Sequence, residues 1–287
     1  MLAASVSILF HGLAYAMVLY LVSVGLSVTM GLMGFVNLAH GVFAMGGGYL
    51  GVTLMNSYGV PFGWAILVAV VVVALVSTVL ERTLYSPLYG AAELDQVLFT
   101  VGLMFMATAA AKYFWGPLAL PVRLPDWLRG QVELGGRSFP SYRAFLIVGG
   151  GAVVLALWLA LERTRFGAMV RAAVDNRRMA QSVGIDTAAL FTLTFALGSG
   201  LAALGGGLGA DLLAINPGYA LEHLVYFLIV VAVGGLGSIK GPFLAALLLG
   251  VSDTGFKYLF PELGAFFIYA ATMAVLLWRP QGLFGRA

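Results

Sequence analysis

Residues 62–80, FGWAILVAVVVVALVSTVL, form the stretch of sequence that decides the fold. The stretch contains no charged residue, and its length matches the ~20 apolar residues that a helix needs to cross a bilayer. It therefore predicts a transmembrane helix. Outward from this stretch, a similar composition extends over most of the chain.

The composition of the whole chain is that of an integral membrane protein. Of its 287 residues, 61% are hydrophobic and only 9% are charged, whereas protein domains average about 25% charged residues. This excludes a soluble enzyme, a disordered protein and a nucleic-acid-binding protein. The 38 glycines fit close helix packing in a membrane. The excess of 15 Lys and Arg over 12 Asp and Glu gives a net charge of +3, which fits cytoplasmic loops.

The sequence does not indicate metal or cofactor chemistry. The chain has no cysteine, which excludes disulfides and thiolate sites. Its three histidines, His11, His40 and His223, are too scattered to predict a metal cluster. No serine–histidine–carboxylate set or pair of carboxylates stands out. We therefore expect no cofactor and no catalytic residue in this chain.

Nine stretches of the chain are long and apolar enough, or nearly so, to cross a membrane. They are residues 6–29, 36–55, 62–80, 95–114, 143–161, 188–210, 223–236, 242–258 and 263–278. The seventh and ninth are short, and glycines interrupt the second. The sequence therefore predicts an all-α, polytopic integral membrane helical bundle with eight or nine transmembrane segments, of which one N-terminal segment is broken or re-entrant.

Loop charge orients this bundle, because loops rich in Lys and Arg stay in the cytoplasm. The densest basic stretch is residues 162–186, which contain Arg163, Arg165, Arg171, Arg177 and Arg178. Counting from it places three further segments inside, namely residues 82–95, residues 236–241 and the tail with Arg279 and Arg286. The Pro/Gly-rich loop 116–142 is then outside. No Lys or Arg precedes Arg82, so loop charge does not orient the N-terminus directly. Counting the spans places the N-terminus outside if the second segment spans fully and inside if it is re-entrant.

Residues 162–186, ERTRFGAMVRAAVDNRRMAQSVGID, predict a short amphipathic helix on the cytoplasmic side. On a helical wheel, one face carries Met169, Ala173, Ala180 and Val183. Arg171, Asp175 and Arg178 lie opposite, with Arg171 and Asp175 at the i,i+4 spacing of an ion pair. Gly184 suits the C-terminal end of such a helix. The helix either lies on lipid headgroups and the bundle, or docks into a groove of a partner protein.

The order of several motifs along the chain resembles that of the membrane permeases of branched-chain amino acid ABC importers, of the LivH type. The motifs are GLMGFVNLAHGVFAMGGGYLG at 31–51, ERTLYSPLYGAAELDQVLFTVGLM at 81–104, RTRFGAMVRAAVDNRRMAQSVGID at 163–186, INPGY at 215–219, VGGLGSIKGPFLAALLLG at 233–250 and RPQGLFGR at 279–286. The resemblance covers nearly the whole chain. It implies that residues 1–287 form a single transmembrane permease domain with a cytoplasmic coupling segment at 162–186.

The resemblance also implies a function and a set of partners. The chain would be a transmembrane permease subunit of an ATP-driven ABC importer for branched-chain amino acids or related small amphipathic solutes. It would couple ATPase motion to alternating access in the bacterial inner membrane. The expected partners are two cytoplasmic ATPase subunits that hydrolyse ATP, a second LivM-like permease subunit, a periplasmic or lipid-anchored substrate-binding protein and membrane lipid, but no nucleic acid. The residues expected to contact the ATPase are Arg163, Arg165, Arg171, Asp175, Arg178 and Gly184.

Polar and small residues near the start of the second segment are candidates for the translocation pathway. Asn37 and His40 lie in an apolar stretch, where polar groups are costly unless they face a cavity or a partner. Gly41 and Gly47 belong to a glycine-rich sequence in which a broken helix would expose backbone groups to a solute. In the alternative, Asn37 caps the helix and His40 bonds a backbone carbonyl at a tight helix crossing.

Three further features favour structural roles. Asn216 and Pro217 predict a turn near the outer face. Asp253 and Lys257 predict an i,i+4 ion pair. GGLGSIKG at 234–241 predicts a tight inter-helix turn, because it lacks the Gly-Lys-Ser/Thr order of a phosphate loop.

Two other classes of function remain open. A self-sufficient secondary transporter or channel for a small organic solute would need buried ionisable groups along its pathway, and few acids lie in the middle of a predicted span. An integral membrane enzyme would need catalytic residues clustered at one membrane face, and the sequence offers no such cluster.

Overall fold

The computed structural model describes residues 2–134, 136–238 and 240–284; Arg286 of the predicted cytoplasmic tail lies outside them. The helices are α1 (Leu2–Met33), α2 (His40–Tyr58), α3 (Phe62–Leu80), α4 (Glu93–Trp115), α5 (Ser141–Arg163), α6 (Arg165–Asp175), α7 (Arg177–Ser182), α8 (Thr187–Gly209), α9 (Tyr219–Gly234), α10 (Lys240–Leu259) and α11 (Gly264–Trp278). The strands are β1 (Gln131–Leu134) and β2 (Arg137–Pro140), which pair antiparallel. Within the described residues the regular structure is thus helical apart from one hairpin, which lies in the Pro/Gly-rich loop 116–142.

Each of the nine apolar stretches corresponds to a helix. Within the described residues, five helices are long and apolar enough to cross a membrane. They are Ala4–Met33 of α1, Phe62–Leu88, which begins with α3, and the whole of α4, α5 and α8. Two shorter apolar helices are α9 and the residues Phe266–Trp278 of α11. The chain is therefore a multi-pass, α-helical membrane protein. The second stretch differs from a regular span, because α2 begins at His40 and residues 34–39 are not regular helix.

Burial sorts the helices into an inner and an outer layer. In the 18-residue apolar stretch that could span the membrane, 83% of the residues of α1 are buried, and 56% of those of α8. The corresponding shares for α3, α4 and α5 are 28%, 17% and 11%. α1 and α8 therefore lie in the core. Large apolar side chains such as Val79, Leu98 and Val148 point outward, as expected of helices that contact lipid.

Glycine allows the two core helices to approach each other closely. Gly25 of α1 faces Gly198 of α8, and a Cβ atom on Gly25 would overlap the carbonyl group of Gly198. A Cβ atom on Gly198 would in turn lie 3.0 Å from the carbonyl oxygen of Gly25. Membrane helices have little hydrophobic drive to associate, so close backbone packing of this kind stabilises their contact.

Contacts of α1 define two ends of the bundle. Near its start, the ring of Phe10 lies 4.4 Å from that of Phe139 in β2. Near its end, the carbonyl of Ser27 accepts a hydrogen bond of 3.1 Å from the N–H of Gly237, in the turn between α9 and α10. We name these the hairpin end and the α6 end. The start of α1 and α6 lie at opposite ends, which favours the alternative in which the second segment spans fully.

The predicted coupling segment forms two helices, so the prediction of one continuous helix was wrong. α6 and α7 are separated by Asn176, whose backbone is extended with φ −155°. The Asn176 Oδ1 atom accepts a hydrogen bond of 3.0 Å from the N–H of Met179, and this cap competes with continuation of α6. The break changes the predicted faces. Ala173 and Ala180 are buried as expected, but the side chains of Met169 and Val183 are exposed.

Candidate coupling and translocation sites

α6 packs its apolar face on the bundle and exposes its charged face. Its start is capped by Thr164, whose hydroxyl accepts a hydrogen bond of 3.3 Å from the N–H of Gly167. A side chain at Gly167 would overlap the backbone of Leu161, so glycine is needed there. Val170 and Ala173 are buried on the same side. The residues predicted for coupling are all exposed, namely Arg163, Arg165, Arg171, Asp175, Arg178 and Gly184.

Arg171 contacts Glu162 at the end of α5. Its Nη1 atom lies 3.9 Å from Glu162 Oε2, and the same atom donates a hydrogen bond to the Leu161 carbonyl. The other oxygen of Glu162 lies 3.7 Å from Nζ of Lys240. Glu162 therefore links α6 to the start of α10. The sequence analysis missed this role, because Lys240 is distant in sequence and no local pattern reveals the pair.

α7 is attached to α8 by side-chain contacts. The guanidinium carbon of Arg177 lies 4.5 Å from the centre of the Phe191 ring, which is a cation–π contact. Gly184 has φ +87° and ends the α7 segment, as its position in the sequence predicted. Asp186 then caps α8 with two hydrogen bonds of 3.0 Å from the N–H groups of Ala188 and Ala189. The coupling segment is thus held at both of its ends.

A cavity of ≈ 890 Å³ opens at the α6 end of the bundle. Its wall combines the ends of α1, α5, α9 and α11 with α6 and the turn between α9 and α10. Glu162, Arg171, Asp175 and Lys240 are its charged residues. Three of the four segments predicted on one side meet at this cavity, namely residues 162–186, residues 236–241 and the tail after α11, whereas residues 82–95 do not line it.

Glu81 is a buried carboxylate at the same end, and the sequence analysis assigned it no role. The residue is only 2% exposed. Its Oε2 atom accepts a hydrogen bond of 2.7 Å from the Thr192 hydroxyl, and Oε1 accepts one from the Tyr89 phenol. Burial, together with this carboxylate, raises the pKa of Tyr89 above its ordinary value, so the phenol remains a donor. Glu81 thereby connects the end of α3 to α8.

Residues 34–39 form the break predicted in the second segment. Their backbone groups bond to polar side chains of α4. The N–H of Val36 donates to Gln96 Oε1 at 3.1 Å, and the N–H of Leu38 donates to the Thr100 hydroxyl at 3.3 Å. Non-helical backbone inside a membrane protein needs such partners. The pair Gln96 and Thr100, polar residues at i,i+4 in an apolar helix, was the signal that the sequence analysis passed over.

His40 makes the contact of the structural alternative, whereas Asn37 does not cap α2, because Ala39 is the residue that precedes the helix and no side chain caps it. Asn37 Oδ1 accepts hydrogen bonds from the N–H of Ala39 at 3.1 Å and from the Tyr85 phenol at 3.3 Å. His40 Nε2 donates to the carbonyl of Val22 at 3.0 Å. Both residues are almost fully buried. Asn37 Nδ2 and His40 Nδ1 have no hydrogen-bond partner within the described chain. The pathway role of Asn37 and His40 therefore stays a prediction, since these two buried atoms remain able to bond to a solute.

Gly41 and Gly47 lie at crossings of α2 with other helices. A Cβ atom on Gly41 would lie 3.0 Å from the carbonyl oxygen of Ala220, at the start of α9. A Cβ atom on Gly47 would overlap the backbone of Ala203 in α8. These glycines permit close helix packing, and their pathway role also stays a prediction.

The remaining polar features adopt the predicted local structures. Asn216 Oδ1 accepts a hydrogen bond of 2.6 Å from the N–H of Gly218, which closes the turn before α9. Asp253 Oδ2 lies 2.6 Å from Nζ of Lys257, which confirms that ion pair. Residues 235–238 form the turn between α9 and α10. In the part of the chain that the structure describes, no group of three His, Cys, Asp or Glu could hold a metal ion.

Comparison with known proteins gives one consistent result. Residues 8–276 match the family described as the permease component of the branched-chain amino acid transport system. The high-affinity branched-chain amino acid transport system permease protein BraD of Pseudomonas aeruginosa is 28% identical, over 97% of this chain and 95% of that protein. The corresponding LivH protein of Escherichia coli is 26% identical, over 97% of this chain and 94% of that protein. A probable branched-chain amino acid transport permease protein LivH of Methanocaldococcus jannaschii is 25% identical, over 97% of this chain and 92% of that protein. No solved structure matches the chain.

Proposed function

The chain belongs to the family of branched-chain amino acid transport permeases, and we propose that it forms one permease subunit of an ATP-driven importer. The proposed substrates are branched-chain amino acids, which are the cargo named for its relatives, or related small amphipathic solutes. The observation that carries the proposal is α6, an amphipathic helix whose buried face packs on the bundle while its charged face stays exposed.

The proposed architecture is a single permease domain over residues 1–287 with eight or nine transmembrane segments. Nine helices of the described chain correspond to the nine apolar stretches of the sequence. α2 completes its crossing with residues 34–39, which bond to α4. The protein would lie in the bacterial inner membrane, with the α6 end in the cytoplasm, since that end carries the basic coupling segment.

The proposed partners follow from the way such an importer works. A periplasmic or lipid-anchored binding protein delivers the substrate to the hairpin end. A second, LivM-like permease subunit completes the pathway, and two cytoplasmic ATPase subunits hydrolyse ATP. The charged face of α6 and α7 contacts one ATPase subunit, through Arg163, Arg165, Arg171, Asp175 and Arg178, with Gly184 ending the segment.

In the proposed mechanism, closure of the ATPase subunits moves α6. The ion pairs of Glu162 join α6 to α5 and to the start of α10. The aromatic contact of Arg177 joins α7 to α8. A displacement of the coupling segment is therefore passed to three helices of the bundle, which switches the pathway between outward and inward access.

The first test is purification of the tagged chain from its native membrane in mild detergent, followed by mass spectrometry of the proteins that accompany it. We expect two ATPases and a second permease. The complex is then reconstituted in vesicles with its binding protein, and uptake of radiolabelled leucine is measured with ATP and with a non-hydrolysable ATP analogue. Uptake that needs hydrolysis supports the importer. A chain that is stable alone and transports solute without ATPase subunits would instead be the self-sufficient transporter.

A further inference from the structure

Two adjoining cavities at the α6 end together have the form of a site for an amphipathic molecule. The larger is the cavity of ≈ 890 Å³ described above. The smaller measures ≈ 310 Å³ and lies between α5 and α10. Trp158, Lys240 and Phe284 belong to the walls of both. One cavity is lined by charged and apolar groups and the other almost wholly by apolar groups, so the combined site has a polar part and an apolar part.

The polar part offers charges of both signs. It contains two bases, Arg171 and Lys240, and two acids, Glu162 and Asp175. The ion pairs of Glu162 measure 3.9 Å to Arg171 and 3.7 Å to Lys240, which is longer than the roughly 2.7–3.2 Å of a direct hydrogen bond. Glu162 and the two bases therefore keep hydrogen-bonding capacity. A ligand that carries one anionic and one cationic group would complement this wall.

The apolar part opens on the outer surface of the bundle. It is lined by Val154 of α5 and by Phe243 and Leu244 of α10. The neighbouring side chains Leu155 and Leu248 are 55% and 57% exposed. In a multi-pass membrane protein, exposed apolar surface of this kind contacts acyl chains. The apolar part is thus accessible to a lipid tail.

We propose that the two cavities form a binding site for a zwitterionic aminophospholipid of the phosphatidylethanolamine type. Its phosphate would lie near Arg171 and Lys240, its ammonium group near Glu162 and Asp175, and part of an acyl chain between α5 and α10. Basic pockets between helices at the cytoplasmic side of membrane proteins bind the phosphates of anionic lipids, and the two acids of this wall add a partner for an ammonium group. A free branched-chain amino acid carries the same pair of charges, but its short side chain would fill less of the apolar cavity than an acyl chain.

Headgroup chemistry distinguishes this lipid from other phospholipids. The primary ammonium group donates hydrogen bonds to carboxylates, whereas the trimethylammonium group of phosphatidylcholine has no N–H donor. Phosphatidylglycerol has no cationic group for Glu162 or Asp175. A bound lipid would contact both α6 and the turn between α9 and α10. Any effect of the lipid on coupling rests on the proposed function, but its binding does not.

Trp158 provides a direct readout, because it lines both cavities. The full chain, with the subunits that accompany it, is placed in phosphatidylcholine vesicles that contain a fraction of lipid brominated on its acyl chains. Fluorescence quenching is measured for the native chain and for Trp158→Phe, and the difference isolates the Trp158 signal. We expect brominated phosphatidylethanolamine to quench this signal about threefold more strongly than brominated phosphatidylcholine, a ratio within the range of a few exposed charge contacts.

Variants locate the two parts of the site. Val154→Phe with Leu244→Phe fills the apolar cavity and should reduce quenching by either lipid. Val148→Phe is the matched control, because it lies on α5 with its side chain exposed and outside both cavities. Glu162→Gln with Lys240→Gln should abolish the preference for the ethanolamine headgroup without preventing insertion of the chain.

Three results would overturn the proposal. Equal quenching by the two lipids in the native chain would mean that the site does not recognise the headgroup. Stronger quenching by brominated phosphatidylglycerol would show a site for anionic lipid. Relief of quenching by millimolar leucine would identify a free amino acid as the occupant. Failure of the importer proposal is seen separately, as the absence of ATPase subunits or of ATP-driven uptake, and would leave the quenching results unchanged.

Discussion

The α6 surface and the crossing of α1, α2 and α8 are both marked by ordered motifs, but the structure holds them in opposite ways. The α6 residues predicted for coupling are exposed, and their side chains are charged. The four residues predicted for the pathway are buried: Asn37 and His40 hydrogen-bond to backbone groups, and Gly41 and Gly47 lie at helix crossings. One region offers exposed charge that a partner could contact, and the other is held by contacts inside the chain.

The two regions differ in how many structural explanations their motifs allow. A glycine or asparagine in an apolar helix has two roles available, close packing or contact with a solute, and sequence pattern alone does not separate them. A charged amphipathic segment at a helix end has fewer structural explanations, since its polar face needs no partner within the bundle. Substitutions in the buried crossing should therefore damage folding, and substitutions on α6 should damage transport alone.

The largest effect should follow from Gly47→Leu at the crossing of α2 and α8. The new side chain would overlap the backbone of Ala203, and backbone cannot move aside as a flexible side chain does. Overpacking costs about 1–3 kcal/mol and sometimes more, and here the two helices must separate. We expect little folded protein, measured as membrane yield and as the thermal midpoint in detergent.

Gly149→Leu is the control for that variant. Gly149 lies on α5, and nothing lies within 4 Å of an added Cβ atom. We expect normal yield and an unchanged midpoint. A Gly47→Leu protein that matched this control would show that the crossing is loose, and would remove the distinction drawn between the two regions.

Charge reversal on the coupling segment should abolish transport without unfolding the chain. Arg171→Glu with Arg178→Glu changes two exposed residues. Like charges that meet across an interface cost several kcal/mol, so ATP-driven uptake should fall by about tenfold or more. Arg171→Lys with Arg178→Lys retains the charge and serves as the control. Normal uptake by the double glutamate variant, at normal membrane yield, would contradict the assignment of these arginines to coupling.

Much of the fold could be predicted because membrane helices leave a strong signal in the sequence. Apolar stretches such as 62–80 predicted their helices directly. The second segment is irregular only at residues 34–39, because the glycines that were expected to interrupt it, from Gly41 to Gly51, lie within the continuous helix α2. The single coupling helix was wrong because the cap made by Asn176 outweighs helical periodicity over so few residues. The hairpin was missed because its strands, Gln131–Leu134 and Arg137–Pro140, are only four residues each, although the Gly-Gly sequence between them is a typical hairpin signal.

The candidate site was predictable only where its contacts are local. The exposed face of α6 followed from spacing alone. The ion pair of Lys240 with Glu162 did not, because the two residues lie on helices that only the tertiary fold brings together. The same holds for Thr192 and Glu81, and for Gln96 and the backbone of Val36. The partners in these pairs are distant in sequence, and a single sequence carries no record of which residues meet.

Glu81 combines features of both regions, because it is buried like the crossing but lies at the α6 end. Glu81→Ala removes the acceptor for two hydroxyl groups. Leaving buried donors unsatisfied costs about 1–3 kcal/mol. We expect a lower thermal midpoint for the purified protein, whereas Glu81→Gln retains a side-chain acceptor and should lose less. A variant with a normal midpoint but reduced uptake would instead assign Glu81 to coupling rather than to stability.

The smallest effect, and the one that separates packing from pathway most directly, should come from Asn37→Ala. The substitution removes the acceptor for the Ala39 N–H and for the Tyr85 phenol, and a hydrogen bond of this kind contributes about 0.5–1.5 kcal/mol to stability. If Asn37 serves packing, the thermal midpoint falls and the KM for leucine uptake stays constant. Tyr85→Phe removes one donor to Asn37 and should produce part of the same shift. A rise in KM at an unchanged midpoint, for Asn37→Ala but not for Tyr85→Phe, would place Asn37 on the translocation pathway, and its unsatisfied Nδ2 atom would then be the group that meets the substrate.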